Sequence, residues 1–458
     1  MLSIVHGPTD QPLLDYTIGS ALRLAVEKHE GQIAITSKHQ NVRWTWQQLD
    51  RVTDSLASGL LRRGIRKGDR VGIWSPNCAE WTTTQFATAK IGAILVNINP
   101  AYRPMEVEYA INKVACRGLI TATRFKSSNY VDMLSALGQS RLPTLEWIAE
   151  IEGERNCANL RYEDLLDDVD PIQLQRIAGE LDPHDPINIQ FTSGTTGAPK
   201  GATLTHHNIL NNGYFVGNAL GLTSKDRICV PVPLYHCFGM VLGNLAAMTH
   251  GAMVVYPSES FDAEATLQAI EDDRCTALYG VPTMFIALLS TADFDSYDLS
   301  SLRTGIMAGA PCPIATMREV MGRMHMRDIT IAYGMTETSP VSFQTSVDDT
   351  LEDKTETVGT VHPHVSVKIV DDDGTVVPRN CQGEIWTSGY SVMQGYWADE
   401  ARTRESIDGE GWMKTGDLGV MDDRGYARIT GRKKDMIIRG GENVYPREIE
   451  EYLMTHPD

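Results

Sequence analysis

Residues 191–201 have the sequence FTSGTTGAPKG, and this short stretch decides which fold the chain adopts. The apolar residues that lead into it predict a strand at Ile187–Phe191, and Thr205 beyond it has the side chain of a helix N-cap. Glycines allow the backbone to curl so that its N–H groups face an anion, while hydroxyls and one lysine add donors and positive charge. The sequence therefore predicts a phosphate-binding loop made of Thr192, Ser193, Gly194, Thr195, Thr196, Gly197 and Lys200.

Two common nucleotide-binding motifs do not fit this loop. Its spacing differs from G-x-x-x-x-G-K-[ST], which argues against a P-loop, and no G-x-G-x-x-G follows a predicted strand, which argues against a dinucleotide fold. A flexible Ser/Gly linker is the simplest alternative. It is disfavoured because a linker would not lie between a strand and a capped helix with a single fixed lysine.

Alternating strands and helices extend outward on both sides of the loop. Thr45 and Gln48 predict a capping box at the start of one helix, and apolar runs such as Gly118–Thr121 and Met253–Tyr256 predict strands. Such alternation is typical of parallel sheets covered by helices, so we expect an α/β fold. The predicted domains are an α/β core at 1–354 whose second subdomain begins near 186, a β-rich subdomain at 355–431, a hinge at 432–434, and the beginning of a truncated α+β C-terminal domain at 435–458.

The composition limits the kinds of partner. The net charge of −18 argues against nucleic acid and against electrostatic docking on anionic lipid, whereas a local cationic loop can still hold ATP. The eight cysteines include no C-x-x-C pair, which is typical of a reducing compartment and gives no zinc site. Because the N-terminal residues lack a signal-peptide pattern and no apolar stretch is long enough for a membrane span, we expect a cytoplasmic protein without integral membrane association.

Three further motifs follow the loop. They are YGMTETSP at 333–340, TGD at 415–417 and GRKKDMIIRGGENVYPREIE at 431–450. In this order and spacing the four blocks resemble the adenylate-forming (AMP-binding) superfamily, which includes acyl-CoA synthetases, luciferases and peptide-synthetase adenylation domains. The flanking blocks INPAYR, VPLYHCFG and QFTSGTTGAPKGATLTHHNI most resemble medium-chain acyl-CoA synthetases of the acyl-CoA synthetase family member 2 type.

The resemblance implies an ATP-dependent acid–thiol ligase. Such an enzyme joins a carboxylate to the α-phosphate of ATP, which gives acyl-AMP and pyrophosphate, and then transfers the acyl group to coenzyme A. Two like charges about 4 Å apart repel by about 1 kcal/mol in water and by more in a drier site, so the site must present cations and donors. Two alternatives stay open: an adenylating enzyme that passes its acyl group to a carrier protein or another acceptor, and a non-catalytic ATP-responsive binding protein.

On the nucleotide side, the resemblance gives a role to each matched residue. The loop would hold the β- and γ-phosphates, Thr336 would contact the α-phosphate, and Glu337 would bind Mg²⁺, for which a carboxylate oxygen is a suitable ligand. Asp417 would bind both ribose hydroxyls, although a turn aspartate is the simpler interpretation of T-G-D. The other predicted nucleotide contacts are Gly309, Ala310 and Pro311 along adenine, Tyr333 stacked on adenine, Gly334 and Met335 of the same motif, and Arg432 on the ribose or a phosphate.

On the acyl side, the segment Leu234–Met240 resembles the wall of an acyl tunnel. His236 would lie near the substrate carboxylate, although a lone histidine is more often a structural residue. No aspartate occurs at 231–245, which favours an acid without an amine, and Met240 and Met307 are candidates for an adaptable wall. We therefore expect a medium-chain fatty acid as substrate, with catalytic roles for Thr336, Glu337, Lys200 and His236.

The last motif implies a moving C-terminal domain. Lys434 matches the family's hinge, and Gly440 and Gly441 lie where the pantetheine arm of coenzyme A would pass, although a Gly-Gly turn in a surface loop is an alternative. The family's catalytic lysine belongs to a later part of that domain than Asp458. We expect a 458-residue polypeptide to bind ATP but to turn over fatty acid more slowly than an enzyme that contains this lysine.

Overall fold

The fold consists of two large sheets, a smaller antiparallel sheet, and helices that cover them. The structure is a computed structural model that describes residues 1–152, 160–194, 197–435, 437–439 and 442–444. The predicted fold class is confirmed, because the two large sheets are mainly parallel and helix-covered and a β-rich unit follows them along the chain.

The first sheet has eight strands. Its first six strands in spatial order are parallel, and the last two strands are joined to one edge by antiparallel pairings. In spatial order the strands are Leu160–Arg161, Trp147–Ile151, Gly118–Ala122, Arg70–Trp74, Ile94–Asn97, Pro186–Gly194, Gly197–Thr205 and Gly395–Tyr396.

The second sheet has nine strands. Six central strands are parallel, whereas the outermost pairings at both edges are antiparallel. In spatial order the strands are Thr360–Val361, Val341–Gln344, Asp328–Gly334, Thr304–Ala308, Ala277–Gly280, Arg227–Cys229, Met253–Tyr256, Ile33–Ser37 and Val42–Thr45.

The third sheet is antiparallel throughout and combines both ends of the described chain. Its strands in spatial order are Ile4–His6, Val365–Val370, Gly383–Gly389, Met413–Met421 and Ala427–Arg432. Two small hairpins pair Arg124–Phe125 with Ser128–Asn129 and Ile437–Arg439 with Glu442–Val444. Sheet membership therefore does not follow chain order, since the N-terminal strand joins strands that lie more than 350 residues later.

The α-helices begin at clear sequence signals. The capping box predicted at Thr45 and Gln48 is present in the structure. The α-helices are Ile18–His29, Trp46–Arg62, Ala79–Ile91, Pro104–Lys113, Tyr130–Arg141, Pro171–Ala178, His206–Ala219, Ala246–His250, Ala263–Asp273, Pro282–Leu289, Ile314–Arg323, Leu351–Glu356 and Glu400–Ser406. Short 3₁₀ helices span Tyr162–Leu165, Phe294–Ser296 and Thr336–Thr338, and a π-helix spans Phe238–Leu245. Within the described ranges, we find no helix with the length and apolar character that a membrane crossing requires.

One helix joins the two large sheets into a common core. Every residue of Ala79–Ile91 is buried except Glu80 and Lys90, so this helix has no solvent-facing side of the kind that a surface helix shows. It contacts strand Ile94–Asn97 of the first sheet and strand Ile33–Ser37 of the second. The apolar core is therefore continuous between the sheets, and it fixes the position of one relative to the other.

The predicted phosphate loop lies in a hairpin, which corrects one part of the sequence interpretation. We expected a strand, a loop and then a helix, but a second strand, Gly197–Thr205, runs back along Pro186–Gly194 before the helix begins. Small residues permit this pairing, because a Cβ at Gly201 would already lie 3.0 Å from Ile189 Cγ2. Thr205 caps the following helix as predicted, through reciprocal hydrogen bonds with Asn208.

Candidate active site

A cleft of about 310 Å³ opens where the second sheet meets the third. The parallel strands Thr304–Ala308 and Asp328–Gly334 end at this cleft, and the carboxyl ends of parallel strands are where open α/β sheets bind ligands. Strands Met413–Met421 and Ala427–Arg432 form the opposite wall. The structure thus brings together seven of the predicted nucleotide contacts, which are Gly309, Ala310, Pro311, Tyr333, Gly334, Asp417 and Arg432.

Two glycines shape the wall of this cleft. Gly309 has φ +88°, a left-handed conformation that glycine adopts without a steric penalty. A Cβ on Gly334 would lie 1.7 Å from the carbonyl oxygen of Pro340, so no larger residue fits there without a backbone shift. The predicted contacts at these positions are therefore backbone surfaces against which a flat ring can lie.

The buried carboxylate of Asp417 lies at the centre of the cleft. Asp417 is 7% exposed; its Oδ2 accepts a hydrogen bond from the Tyr333 hydroxyl (2.7 Å) and its Oδ1 accepts one from Arg432 Nε (3.0 Å). The register places Asp417 directly opposite Arg432 on the neighbouring antiparallel strand. Burial, followed by the nearby Asp417 charge, raises the pKa of Tyr333, so this residue stays a neutral donor. Arg432 itself is exposed and can reach a ligand in the cleft.

A second buried carboxylate links the phosphate loop to the YGMTETSP motif. Glu337 is 5% exposed, and its Oε1 accepts hydrogen bonds from Thr192 Oγ1 (3.2 Å) and from the Tyr396 hydroxyl (2.9 Å). It lies in the 3₁₀ turn Thr336–Thr338, whose start is fixed by a hydrogen bond from Met335 N to Thr338 Oγ1 (3.1 Å). Thr336 is half-buried beside it. The predicted catalytic residues Thr336 and Glu337 thus lie next to strand Pro186–Gly194, which carries Thr192.

The cation of the loop lies on the returning strand. Lys200 pairs with Thr192 across the hairpin, is half-exposed, and holds its Nζ 4.8 Å from the centre of the Tyr396 ring. Ser193, Gly194 and Gly197 belong to the backbone of the two strands, with Gly194 opposite Gly197. Thr195 and Thr196 lie outside the described residues. Among the loop residues whose side chains the structure describes, Thr192 contacts Glu337 directly, whereas Lys200 contacts Tyr396, which in turn donates to Glu337.

His236 lies near this second cluster but is not packed in the core. His236 is exposed to solvent, and the protein atoms around its ring lower its pKa to about 4. Its ring lies 4.1 Å from that of Tyr235, and its carbonyl accepts from Gly239 N (3.0 Å) just before the π-helix. The neighbouring Cys237 is buried, and burial raises the pKa of its thiol to about 12, so it is an inert packing residue.

The two methionines that the sequence suggested as an adaptable wall are both buried. Met240 is 1% exposed, and its Sδ accepts hydrogen bonds from Asn97 Nδ2 and from Gln190 Nε2, each at 3.2 Å. Met307 is fully buried in an apolar cluster on the opposite side of its strand from Ile306. Burial describes how these side chains are packed and not which of them would face a substrate, so the wall role of both methionines stays a prediction.

Tyr396 is the residue of this site that sequence reasoning missed. It lies in Gly395–Tyr396, an edge strand of the first sheet that pairs with Gly197–Thr205, about 60 residues after Glu337. The only local signal is an aromatic residue in the Gly-Tyr-Trp sequence of 395–397. Such a signal is indistinguishable from ordinary core packing until the sheet order is known.

The hinge and coenzyme A predictions fall at the margin of the described chain. Lys434 is exposed in a turn, and the preceding Lys433 donates its backbone N–H to Gly416 O (2.8 Å). Gly440 and Gly441 lie outside the described residues. The roles of all three residues stay predictions.

The chemistry of Glu337 fits the predicted Mg²⁺ ion. Among the described residues no cluster of three or more histidine, cysteine or acidic side chains occurs, but Mg²⁺ is commonly held by one or two carboxylates together with substrate phosphates. Within the part of the chain that the structure describes, the carboxylate accepts two hydrogen bonds, and both of them are on Oε1. Oε2 is therefore the oxygen that would serve as a hard ligand for the ion.

These features define an adenylate-forming enzyme: a cleft at the ends of parallel strands, a carboxylate at its centre, and a hydroxyl-rich loop with one lysine beside a second carboxylate. The chain belongs to the AMP-binding enzyme family, whose model matches residues 22–397.

Its relatives are acyl-CoA ligases by name. It is 45% identical to the medium-chain acyl-CoA ligase ACSF2, mitochondrial, of Danio rerio, over 99% of this chain and 78% of that protein, and 44% identical to the acyl-CoA ligase sidI of Aspergillus fumigatus, over 100% and 79%.

Solved structures show the same fold. The anthranilate CoA ligase AuaEII in complex with anthranoyl-AMP superposes with a TM-score of 0.87 at 27% identity, covering 98% of this chain and 84% of that one. The Mycobacterium tuberculosis fatty acyl CoA synthetase superposes with a TM-score of 0.82 at 26% identity, covering 96% and 83%. These findings confirm the predicted family and the predicted class of enzyme, an acyl-CoA synthetase that uses ATP and coenzyme A.

Proposed function

We propose that the chain activates a medium-chain aliphatic acid as its acyl-AMP and transfers the acyl group to coenzyme A. The observation that carries this proposal is the pair of buried carboxylates, Asp417 and Glu337, each hydrogen-bonded to members of a different motif. Asp417 serves the ribose, and Glu337 serves the phosphate end of the same nucleotide.

On the nucleotide side, each group has a distinct task. The Tyr333–Asp417–Arg432 cluster presents an oriented carboxylate that can accept from two ribose hydroxyls, and adenine lies against the backbone at 309–311. Lys200 and the loop neutralise the β- and γ-phosphates, while Thr336 donates to the α-phosphate. Glu337 would hold Mg²⁺, whose charge offsets that of the phosphates.

On the acyl side, the exposed His236 binds or orients the substrate carboxylate. The absence of an aspartate from 231–245 favours an acid without an amine. The medium chain length is supported by the name of the Danio rerio relative and by the family likeness of the segment 231–243. An acceptor other than coenzyme A, such as a carrier protein, is the alternative, and product analysis with and without coenzyme A separates the two.

We also retain the predicted organisation as part of the proposal. It has domain boundaries at 354 and 431, a hinge at Lys434, and a contact of Gly440 and Gly441 with coenzyme A. A cytoplasmic location also remains a prediction, and because the Danio rerio relative is named mitochondrial, cell fractionation has to distinguish the two compartments.

A panel of acids tests the substrate directly. Burial of each CH₂ contributes about 0.8 kcal/mol, about fourfold in affinity, so pyrophosphate release at limiting acid should rise from butanoate to octanoate and then level off. Benzoates or amino acids that outperform octanoate would contradict the aliphatic assignment. ATP binding without acid-dependent pyrophosphate release from any acid would instead favour a binding protein.

A further inference from the structure

The segment Met393–Trp397 lies between the hairpin of strands Pro186–Gly194 and Gly197–Thr205 and the YGMTETSP turn, and backbone hydrogen bonds join it to both. Met393 donates its backbone N–H to the carbonyl oxygen of Glu337 (2.9 Å). Gln394 and Trp397 donate theirs to Thr203 and Gly201 of the returning loop strand, at 3.0 and 2.8 Å. Because both sides of this segment are anchored, Tyr396 between them has little freedom to move independently of the loop or the turn.

The Tyr396 side chain joins two charged groups. Its hydroxyl donates to Glu337 Oε1 (2.9 Å), and its ring lies under the Lys200 ammonium, 4.8 Å from the ring centre. Tyr396 is 6% exposed and Glu337 is 5% exposed, so the hydrogen bond between them is shielded from water, which strengthens it, whereas Lys200 above the ring is half-exposed. Tyr396 thus contacts the anion proposed to hold the metal and the cation proposed to hold the phosphates.

The two donors on Glu337 act on the same oxygen. Thr192 Oγ1 and the Tyr396 hydroxyl both bind Oε1, which fixes the rotation of the carboxylate and leaves Oε2 available. Outer groups that orient a metal-binding carboxylate commonly change metal affinity by roughly 10- to 100-fold when they are removed. A tyrosine is suited to this task because its phenol hydroxyl is a hydrogen-bond donor at neutral pH and reaches the carboxylate from a rigid ring.

We propose that Tyr396 is a positioning residue that sets the Glu337 carboxylate for a divalent cation and holds Lys200 for the phosphates, thereby coupling metal binding to ATP binding. This inference rests on the proposed function and deepens it. It predicts separable effects of the hydroxyl and of the ring, because each contacts a different partner.

The test is titration of ATP by calorimetry in EDTA and in excess Mg²⁺. The measured quantity is the dissociation constant of ATP in EDTA divided by the dissociation constant in Mg²⁺. Tyr396→Phe keeps the ring but removes the hydroxyl, so the ratio should fall about tenfold while the dissociation constant in EDTA stays within about twofold. Tyr396→Leu also removes the ring, and it should additionally weaken binding in EDTA by roughly two- to fivefold. Thr192→Val removes the other donor to the same oxygen and should lower the ratio in the same direction.

Tyr426→Phe is the matched control. The Tyr426 hydroxyl donates to Asp349 Oδ1 (2.7 Å), which is the same kind of bond in a part of the fold outside the cleft. This variant should leave the ratio unchanged.

An unchanged ratio in Tyr396→Phe, beside normal wild-type binding, would overturn this inference alone. A parallel loss of affinity in EDTA and in Mg²⁺ together with a lower unfolding temperature would show a merely structural role and would overturn it as well. Failure of the wild-type chain to bind ATP would overturn the proposed function, and this inference with it.

Discussion

Substitution of Asp417 by asparagine tests the nucleotide site most directly. The buried carboxylate accepts one hydrogen bond on each oxygen, from Tyr333 and from Arg432. Asparagine has the same shape, but its amide nitrogen donates where a carboxylate oxygen accepts, and its remaining oxygen carries no charge. Asp417→Asn therefore removes one acceptor and one charge while the packing of the side chain is kept.

The size of the effect follows from the bonds that a ribose would lose. A hydrogen bond to a charged group contributes about 1.5–3 kcal/mol, compared with about 0.5–1.5 kcal/mol for a neutral pair. A ribose bound through two hydroxyls would lose one bond and have the other weakened. We therefore expect a loss of at least about 1.4 kcal/mol, which is tenfold in ATP affinity and in acid-dependent pyrophosphate release.

The assay combines ATP titration, pyrophosphate release and thermal unfolding for each variant. Asp349→Asn is the matched control, because Asp349 accepts from the Tyr426 hydroxyl (2.7 Å) and from Ser346 N (2.8 Å) but does not line the cleft. It should leave ATP affinity unchanged. Wild-type affinity in Asp417→Asn would refute the ribose assignment, and an equal loss in Asp349→Asn would show that the effect is not specific to the site.

Two further outcomes test the phosphate cluster and the buried core. Glu337→Gln keeps the shape of the side chain but removes the charge, so pyrophosphate release should fall at least tenfold and recover in part at high Mg²⁺; an unchanged rate would remove Glu337 from the site. His362 is 4% exposed, and burial lowers its pKa from 6.5 to about 4. Below about pH 6.5 the unfolded chain binds a proton that the folded chain does not, so the free energy of unfolding should fall as the pH drops towards 4, by up to about 3 kcal/mol. Denaturant titrations from pH 7 to 4 should show a shallower fall in His362→Gln, and an identical fall would contradict this account.

Much of the secondary structure could be predicted from the sequence because the local signals are strong. The strand predicted at Met253–Tyr256 has the observed bounds, and the one predicted at Gly118–Thr121 differs by one residue. These strands are uninterrupted apolar runs, as expected for parallel strands buried on both faces. Their neighbouring helices begin at recognisable caps, as at Thr45.

The order of strands in the sheets could not be predicted, because pairing depends on contacts distant in sequence. The strands Ile33–Ser37 and Val42–Thr45 precede the whole first sheet in the chain but belong to the second. The strand Gly197–Thr205 could not be recognised in the sequence, because its glycines and proline favour a loop by local propensity.

The candidate site was predictable in its residues but not in its connections. Thr192 and Lys200 come from the first sheet, Tyr333 and Glu337 from the second sheet and the turn that follows it, and Asp417 from the third. Neither the Asp417 cluster nor the Glu337 cluster lies within a single sheet, because each carboxylate accepts a hydrogen bond from a residue of another sheet. The geometry of both clusters therefore depends on how the sheets are packed against one another. For this reason the short motifs reveal which residues take part, while a residue such as Tyr396, which connects two motifs across a sheet edge, becomes visible only in the folded chain.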